Sequence, residues 1–217
     1  MRVLRILFAI SMAFGFASAA RAQGPAAVTF TLDFAGANPS HYEIIVRQDG
    51  TGSYSSNGQL NNDSEPADLA PLPFTPSDKV RGQIFELAQK AHLFAGKVDS
   101  GRKNIANTGT KTLAYKDGTH SSQATYNYSP QPAIQELTSV FQSLSTALEY
   151  GRRLSYFRKY QKLALDEDLK RMEQMQREQS LGDVQAIAPV LKEIANDSTL
   201  INVSRARALR LLNSQSH

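Results

Sequence analysis

Residues 41–56, HYEIIVRQDGTGSYSS, point most directly to the architecture because they have the pattern of a β-hairpin. Apolar and polar residues alternate through the first arm, a period of two that predicts a half-buried strand. A two-residue loop would place Tyr54 opposite Ile45, on the polar side. A three-residue loop, with Gly50 in the left-handed conformation that glycine tolerates, pairs Tyr54 with Ile44 instead. We therefore predict the three-residue loop.

A second hairpin is predicted over residues 110–128, where two alternating segments flank Asp117-Gly118. A two-residue loop there pairs Leu113 with Ser122. This register places the apolar side chains of both segments on one face of the sheet.

Three further elements complete the first part of the chain. Residues 28–35 read as a strand, and residues 57–76 contain four prolines, which predicts an irregular loop. A helix then follows, with Thr75 as its cap and Pro76 in its first position. A second helix has an apolar stripe of five residues at helical spacing, Ile134, Leu137, Phe141, Leu144 and Leu148. We predict an α+β fold: an antiparallel sheet of four to five strands with two helices packed on one face.

The composition changes at Gly151. Residues 151–179 contain no proline and no β-branched residue, which predicts a long and mostly exposed helix. A helical pair over 184–195 and 203–212 follows. The predicted organisation is therefore an α+β domain over residues 23–150 and an all-α extension over 151–217.

The first 22 residues predict an export signal. Arg2 and Arg5 precede an uncharged run over residues 6–20, and small residues follow at the positions that signal peptidase requires, so we expect cleavage after Ala22. A membrane anchor is the alternative, but the run is shorter than the roughly 20 residues that span a bilayer. Localisation is predicted to be secreted or periplasmic.

The formal net charge of +4 arises mainly in this segment, which contains three of the 24 basic residues and no acidic one. Without residues 1–22, 21 basic and 20 acidic residues remain, a formal net charge of +1. This near balance argues against nucleic acid as a partner. The absence of cysteine excludes disulfides, thiolate metal sites and cysteine catalysis.

Two segments resemble known families. Residues 42–58, YEIIVRQDGTGSYSSNG, resemble the opening hairpin of uncharacterised secreted bacterial domains of unknown function, a similarity that extends over residues 28–150. That resemblance implies export and no established activity. Residues 184–212 resemble a single HEAT-type helical pair, although an ordinary docked helical hairpin fits as well, because solenoids need about three stacked repeats.

No motif predicts catalytic, metal-binding or cofactor-binding residues. Ser100 and Lys103 match the S-x-x-K pattern of penicillin-recognising enzymes, but neither companion motif occurs and Gly101 favours a turn. No two of the four histidines have metal-ligand spacing; they are His41, His92, His120 and His217. Three carboxylates on separate segments are candidates for a carboxylate pair, which spacing along the chain does not show; they are Asp33, Glu43 and Asp99.

One charge cluster predicts a partner. On a helical wheel, four basic residues share an arc of about 120°; they are Arg152, Arg158, Lys159 and Lys162. This arc is a candidate face for an anionic polymer or membrane surface, while acidic residues 166–168 favour an ordinary solvated face. The helix over residues 151–179 is also a candidate surface for homo-oligomerisation.

These observations favour an exported, non-catalytic protein that binds or assembles in the cell envelope or periplasm, with another envelope protein as a further candidate partner. The alternative is a secreted hydrolase whose catalytic residues are dispersed along the chain.

Overall fold

A computed structural model describes residues 24–60 and 69–214. The predicted signal peptide and the centre of the proline-rich loop lie outside these ranges. The described residues form one antiparallel sheet with strand order β4-β3-β2-β1-β5-β6. The strands are β1 Ala27–Asp33, β2 His41–Arg47, β3 Gly52–Ser56, β4 Leu72–Phe74, β5 Thr110–Lys116 and β6 Ser121–Tyr126.

The helices are α1 Asp78–Lys90, α2 Pro132–Tyr160, α3 Lys162–Arg177, α4 Ala188–Asn196 and α5 Asn202–Asn213. Short 3-10 segments cover His92–Phe94 and Val184–Ile187. The predicted α+β class with a C-terminal helical part is confirmed. The predicted strand count is one too low, because Leu72–Phe74 pairs with β3 at the sheet edge, where a strand tolerates Pro73.

The first hairpin has the predicted register. Ile44 pairs with Tyr54, and Arg47 N–H donates to the Thr51 carbonyl across the three-residue loop. Gly50 has φ of +90°, the left-handed conformation that the loop requires.

The second hairpin is shifted by two residues from the predicted register. Leu113 pairs with Ala124 rather than Ser122, because Asp117 accepts hydrogen bonds from the Thr119 and His120 N–H groups and holds a longer turn. A shift of two preserves the face of every side chain, so Leu113 is still buried.

Helix α2 covers the inner face of the sheet with the predicted stripe. All five predicted residues are buried, and Phe141 stacks on Phe30 of the central strand at a ring-centroid distance of 5.2 Å. Helix α1 begins later than predicted: Ser77, not Thr75, accepts the capping hydrogen bond, from Val80 N–H.

The predicted start of a separate helix at Gly151 is wrong, because α2 runs through this residue to Tyr160. Gly151 is buried, and a Cβ there would lie 2.5 Å from Ile187 Cγ2, so this glycine permits close packing rather than ending the helix. The break falls at Gln161, whose φ is −142°. The division of the chain into domains at residue 150 remains a prediction.

Asp183 joins the C-terminal helices to the first part of the chain. Its carboxylate accepts the Ser77 N–H at 2.6 Å and the Gln185 N–H at 3.2 Å, at the starts of two helical segments. Burial raises the pKa of Asp183, although the hydrogen bonds from Ser77 and Gln185 oppose that shift. Gly182 lies directly against α2, where a Cβ would meet the Ser143 carbonyl oxygen at 2.1 Å.

Candidate functional site

Three of the four residues in the predicted anionic-partner face contact other parts of the protein, two of them through guanidinium groups. Arg152 Nη2 donates to the carbonyl oxygens of Tyr54 at 2.9 Å and Ala70 at 3.1 Å. Arg158 Nη2 lies 3.0 Å from Glu193 Oε2. Both guanidinium groups therefore tie α2 to neighbouring segments.

The other two residues are exposed. Lys159 forms no ion pair within residues 24–60 and 69–214. Lys162 Nζ donates to the Thr199 carbonyl oxygen at 3.0 Å. The helix break at Gln161 means that the four residues do not share one helical arc. Binding of an anionic partner by these residues remains a prediction.

Four large apolar side chains are exposed near the two lysines. The exposed fractions are 69% for Tyr160, 84% for Leu163, 58% for Ile201 and 44% for Val203. The Lys162–Thr199 hydrogen bond brings the α2–α3 break to the α4–α5 loop, so these residues lie at one end of the helical part. Exposed apolar side chains grouped in this way mark interaction surfaces.

We call this surface the basic tip; it comprises Lys159, Tyr160, Lys162, Leu163, Ile201, Val203 and Arg205. Arg205 donates to the Ala195 carbonyl oxygen and to Asn202 Oδ1, both uncharged acceptors. Like the two lysines, it has no carboxylate partner in the described part of the chain. The tip therefore carries three cations that form no ion pair among the described residues, although Lys162 attracts Asp197 at longer range.

Two acidic residues beside the tip contact other groups, whereas Glu167 is exposed and forms no ion pair in the described part of the chain. Asp166 Oδ1 lies 3.2 Å from Arg207 Nε and accepts the Ser204 hydroxyl at 2.9 Å. Asp197 accepts hydrogen bonds from the Thr199 side chain and backbone N–H, which lower its pKa, and attraction to Arg158 and Lys162 lowers the pKa further. Arg207 therefore neutralises Asp166, whereas the hydrogen bonds to Asp197 leave its negative charge in place beside the tip.

An ion-pair cluster joins α3 to α5, the two helices that carry part of the tip. Glu173 contacts Arg207, and its Oε1 accepts from Arg210 Nε at 2.7 Å. Burial raises the pKa of Glu173, but hydrogen bonds from Arg210 and Arg207 outweigh that effect and lower it. The position of α5 relative to α3 therefore depends on an ionised carboxylate.

The apolar part of the tip was not predicted from sequence, but a signal was present. Leu165, Leu169 and Met172 form the buried stripe of α3, and Leu163 is out of phase with them. A leucine on the polar face of an amphipathic helix is the pattern that marks such a surface. Ile201 gave no comparable signal because it precedes α5.

Histidine and carboxylate side chains meet in two places. His41 Nδ1 lies 2.6 Å from Asp33 Oδ1 on adjacent strands. His120 Nδ1 lies 2.7 Å from the Thr119 hydroxyl and 3.5 Å from Asp117 Oδ1. In a Ser-His-Asp mechanism, the acid and the nucleophile contact different ring nitrogens of the histidine. At His120 the hydroxyl and the carboxylate both lie nearest to Nδ1, so this group does not have that geometry.

Ser100 and Asp99 lie in a turn, whereas Asp33 and Glu43 lie on paired strands, two positions apart in register. Ser100 accepts the Arg102 N–H and Asp99 accepts the Gly101 N–H, which is the predicted turn. Asp99 also accepts the Asn127 N–H, and Glu43 lies on β2. Within the described ranges, no group of three or more histidine, aspartate or glutamate residues is arranged to hold a metal ion.

No protein-family model matches this chain, and no curated protein shows significant similarity to it. The two resemblances therefore rest on the quoted residues alone. Among the helices that the structure describes, including the 29-residue α2, none combines the length and apolar character needed to cross a bilayer.

Proposed function

We propose that this chain is an exported, non-catalytic protein of the cell envelope that binds an anionic membrane surface through the basic tip. The observation that carries the proposal is the 84% exposure of Leu163 beside Lys159 and Lys162. Apolar and basic side chains combined on one surface favour the boundary of an anionic bilayer.

The chemistry of the tip matches the two components of such a boundary. Tyr160 has an aromatic ring with a polar hydroxyl, the type of side chain enriched at membrane–water interfaces. Leu163 supplies apolar surface to the acyl region. The cations add electrostatic attraction of about 1 kcal/mol for each lysine or arginine near an anionic surface.

Co-sedimentation with lipid vesicles tests the proposal. Residues 23–217 are used, so that the apolar run before residue 23 makes no contribution. Vesicles of phosphatidylcholine and phosphatidylglycerol are compared with pure phosphatidylcholine at low and high salt. We expect binding to the anionic vesicles at low salt, weakened at high salt because the charges are screened.

Matched variants separate the tip from general charge. Lys159→Gln with Lys162→Gln should weaken vesicle binding about thirtyfold, the equivalent of ~2 kcal/mol. Lys170→Gln with Lys192→Gln removes the same charge from exposed sites outside the tip and should change binding little. Equal losses in both pairs, or no binding of the parent chain at low salt, would refute the proposal.

Leu163→Glu tests the apolar contribution, with the half-exposed Leu209→Glu as its control. Light scattering on the same samples tests self-association. A parent dimer that Leu163→Glu converts to a monomer, without vesicle binding, would reassign the tip to a protein interface. That result would support the predicted homo-oligomer.

A hydrolase remains the second candidate because of the Asp33–His41 pair, in which an acid can orient a histidine base. Among the described residues, no serine or threonine hydroxyl bonds to His41. A fluorophosphonate probe tests this candidate. Labelling of one serine that His41→Gln abolishes would support a hydrolase and count against the non-catalytic proposal.

A further inference from the structure

A small cavity lies at the opposite end of α2 from the basic tip. It has a volume of about 160 Å³ and lies between the first turns of α2 and the segments around Thr108 and Tyr128. None of its described lining residues is acidic. The side chain of Lys111 reaches it from β5.

Lys111 is a buried cation without a counter-ion. The residue is 4% exposed, and its three Nζ–H groups share four acceptors: the carbonyl oxygens of Thr108, Gly109 and Asn127 at 3.0–3.1 Å and the Thr108 hydroxyl at 2.9 Å. Burial lowers the pKa of Lys111, while the four oxygen acceptors favour the protonated form. No carboxylate in residues 24–60 and 69–214 pairs with it.

A buried charge is costly without an opposite charge. The neutral oxygens around Nζ satisfy its hydrogen bonds but do not neutralise it. An anion in the cavity beside it is attracted by this uncompensated charge, more strongly than in bulk water because protein surrounds part of the cavity.

A hydroxyl donor is also available at the cavity. Tyr128 Oη accepts a hydrogen bond from Gln135 Nε2 at 3.1 Å, which leaves its proton to donate. The neighbouring Tyr126 is occupied instead: its hydroxyl bonds to Thr138 Oγ1, whose own proton goes to the Ile134 carbonyl oxygen. Tyr128 and Lys111 thus both line the cavity.

We propose that this cavity binds a small monocarboxylate, with Lys111 supplying the counter-charge and Tyr128 donating a hydrogen bond to a carboxylate oxygen. The volume suits a ligand of a few non-hydrogen atoms, since pockets for drug-sized molecules measure roughly 300–1,000 Å³. The exposed aromatic ring of Tyr128 gives apolar surface for a short alkyl group. This proposal is independent of the basic tip.

Titration followed by NMR tests the proposal on residues 23–217, because the expected affinity is weak. Acetate and butyrate are the probes, with acetamide as the uncharged analogue and inorganic phosphate as the other oxyanion. Saturable shifts of the Tyr128 and Gln135 resonances with the carboxylates, absent with acetamide, are expected. Saturation by phosphate alone, or shifts that chloride reproduces, would overturn the assignment.

Variants identify the groups responsible. Tyr128→Phe should raise the dissociation constant for butyrate about tenfold, while Tyr160→Phe at the tip should leave it unchanged. Lys111→Met should abolish saturation, with the exposed Lys116→Met on the same strand as its control. Should Lys111→Met fail to fold, Tyr128→Phe decides: an unchanged dissociation constant would overturn the proposal.

Discussion

The two ends of helix α2 depart from the usual distribution of polar and apolar groups in opposite ways. Near its start, the charged Lys111 is buried beside a cavity. At its end, Tyr160 and the adjacent Leu163 are exposed. Between them, Phe141 lies in an ordinary apolar core.

The comparison shows which features folding alone explains. Burial of apolar area is enough to explain why the centre of α2 is stable. A buried cation and an exposed apolar surface each lower the stability of the fold. Sites that act against stability in this way are where function is expected. The following predictions test whether the two ends differ as the structure indicates.

The largest effect is expected at the centre. Phe141→Ala removes a fully buried ring stacked on Phe30 and should lower the free energy of unfolding by about 3–5 kcal/mol. Urea denaturation followed by circular dichroism measures it. A loss below about 1 kcal/mol would show that α2 is not packed on the sheet as described.

A smaller loss is expected at the pocket end. Lys111→Met keeps the volume but leaves the Gly109 and Asn127 carbonyl oxygens without this donor, so we expect a loss of about 2–3 kcal/mol in urea. Lys116→Met is the control, with little change expected. Stabilisation by Lys111→Met would show that the buried charge is a net cost to the fold.

Low pH should destabilise the segments near the tip before those near the cavity. The pKa of Glu173 is lowered in the folded state, so its contribution is complete above its ordinary value of 4.5 and is lost as pH falls through the folded value. Hydrogen exchange should therefore show α5 losing protection before β5 as pH falls below about 4.5.

Glu173→Gln checks the cause of that loss. It should cost about 1.5 kcal/mol at neutral pH, because Arg207 and Arg210 lose a charged acceptor. The variant should also flatten the acid response of α5. An unchanged response would assign the loss to other carboxylates.

The smallest effect on stability is expected at the tip. Tyr160→Ser with Leu163→Ser removes apolar surface that is already exposed, so the free energy of unfolding should change by less than about 0.5 kcal/mol. A loss above 1 kcal/mol would mean that these side chains support the fold and are not available to a membrane.

The sequence allowed the sheet face to be predicted better than its register. In the first hairpin, a two-residue loop would place Tyr54 on the polar face of the sheet, so the alternation of apolar residues favours the three-residue loop. The predicted pairing of Tyr54 with Ile44 is present. In the second, loops of two and four residues keep Leu113 on the same face, so alternation could not separate them. Hydrogen bonds to the Asp117 carboxylate decide the longer turn.

The candidate sites depend on contacts between distant segments, which spacing along the chain does not show. Arg152 and Lys162 look alike on a helical wheel, but one meets a strand about 100 residues earlier and the other meets the loop at Thr199. The sequence places Lys111 in the second hairpin but does not show that it is buried, because its burial depends on contacts with the segments at Thr108 and Asn127.

The uninterrupted length of α2 sets the distance between the two candidate sites. Thr138 at the cavity and Tyr160 at the tip are 22 residues apart on one helix, so a rise of 1.5 Å per residue separates them by about 33 Å. The electrostatic field of a bilayer decays over about 8–10 Å at physiological ionic strength. A protein standing on an anionic surface through its tip can therefore hold the cavity several screening lengths away, where the membrane does not repel a free carboxylate.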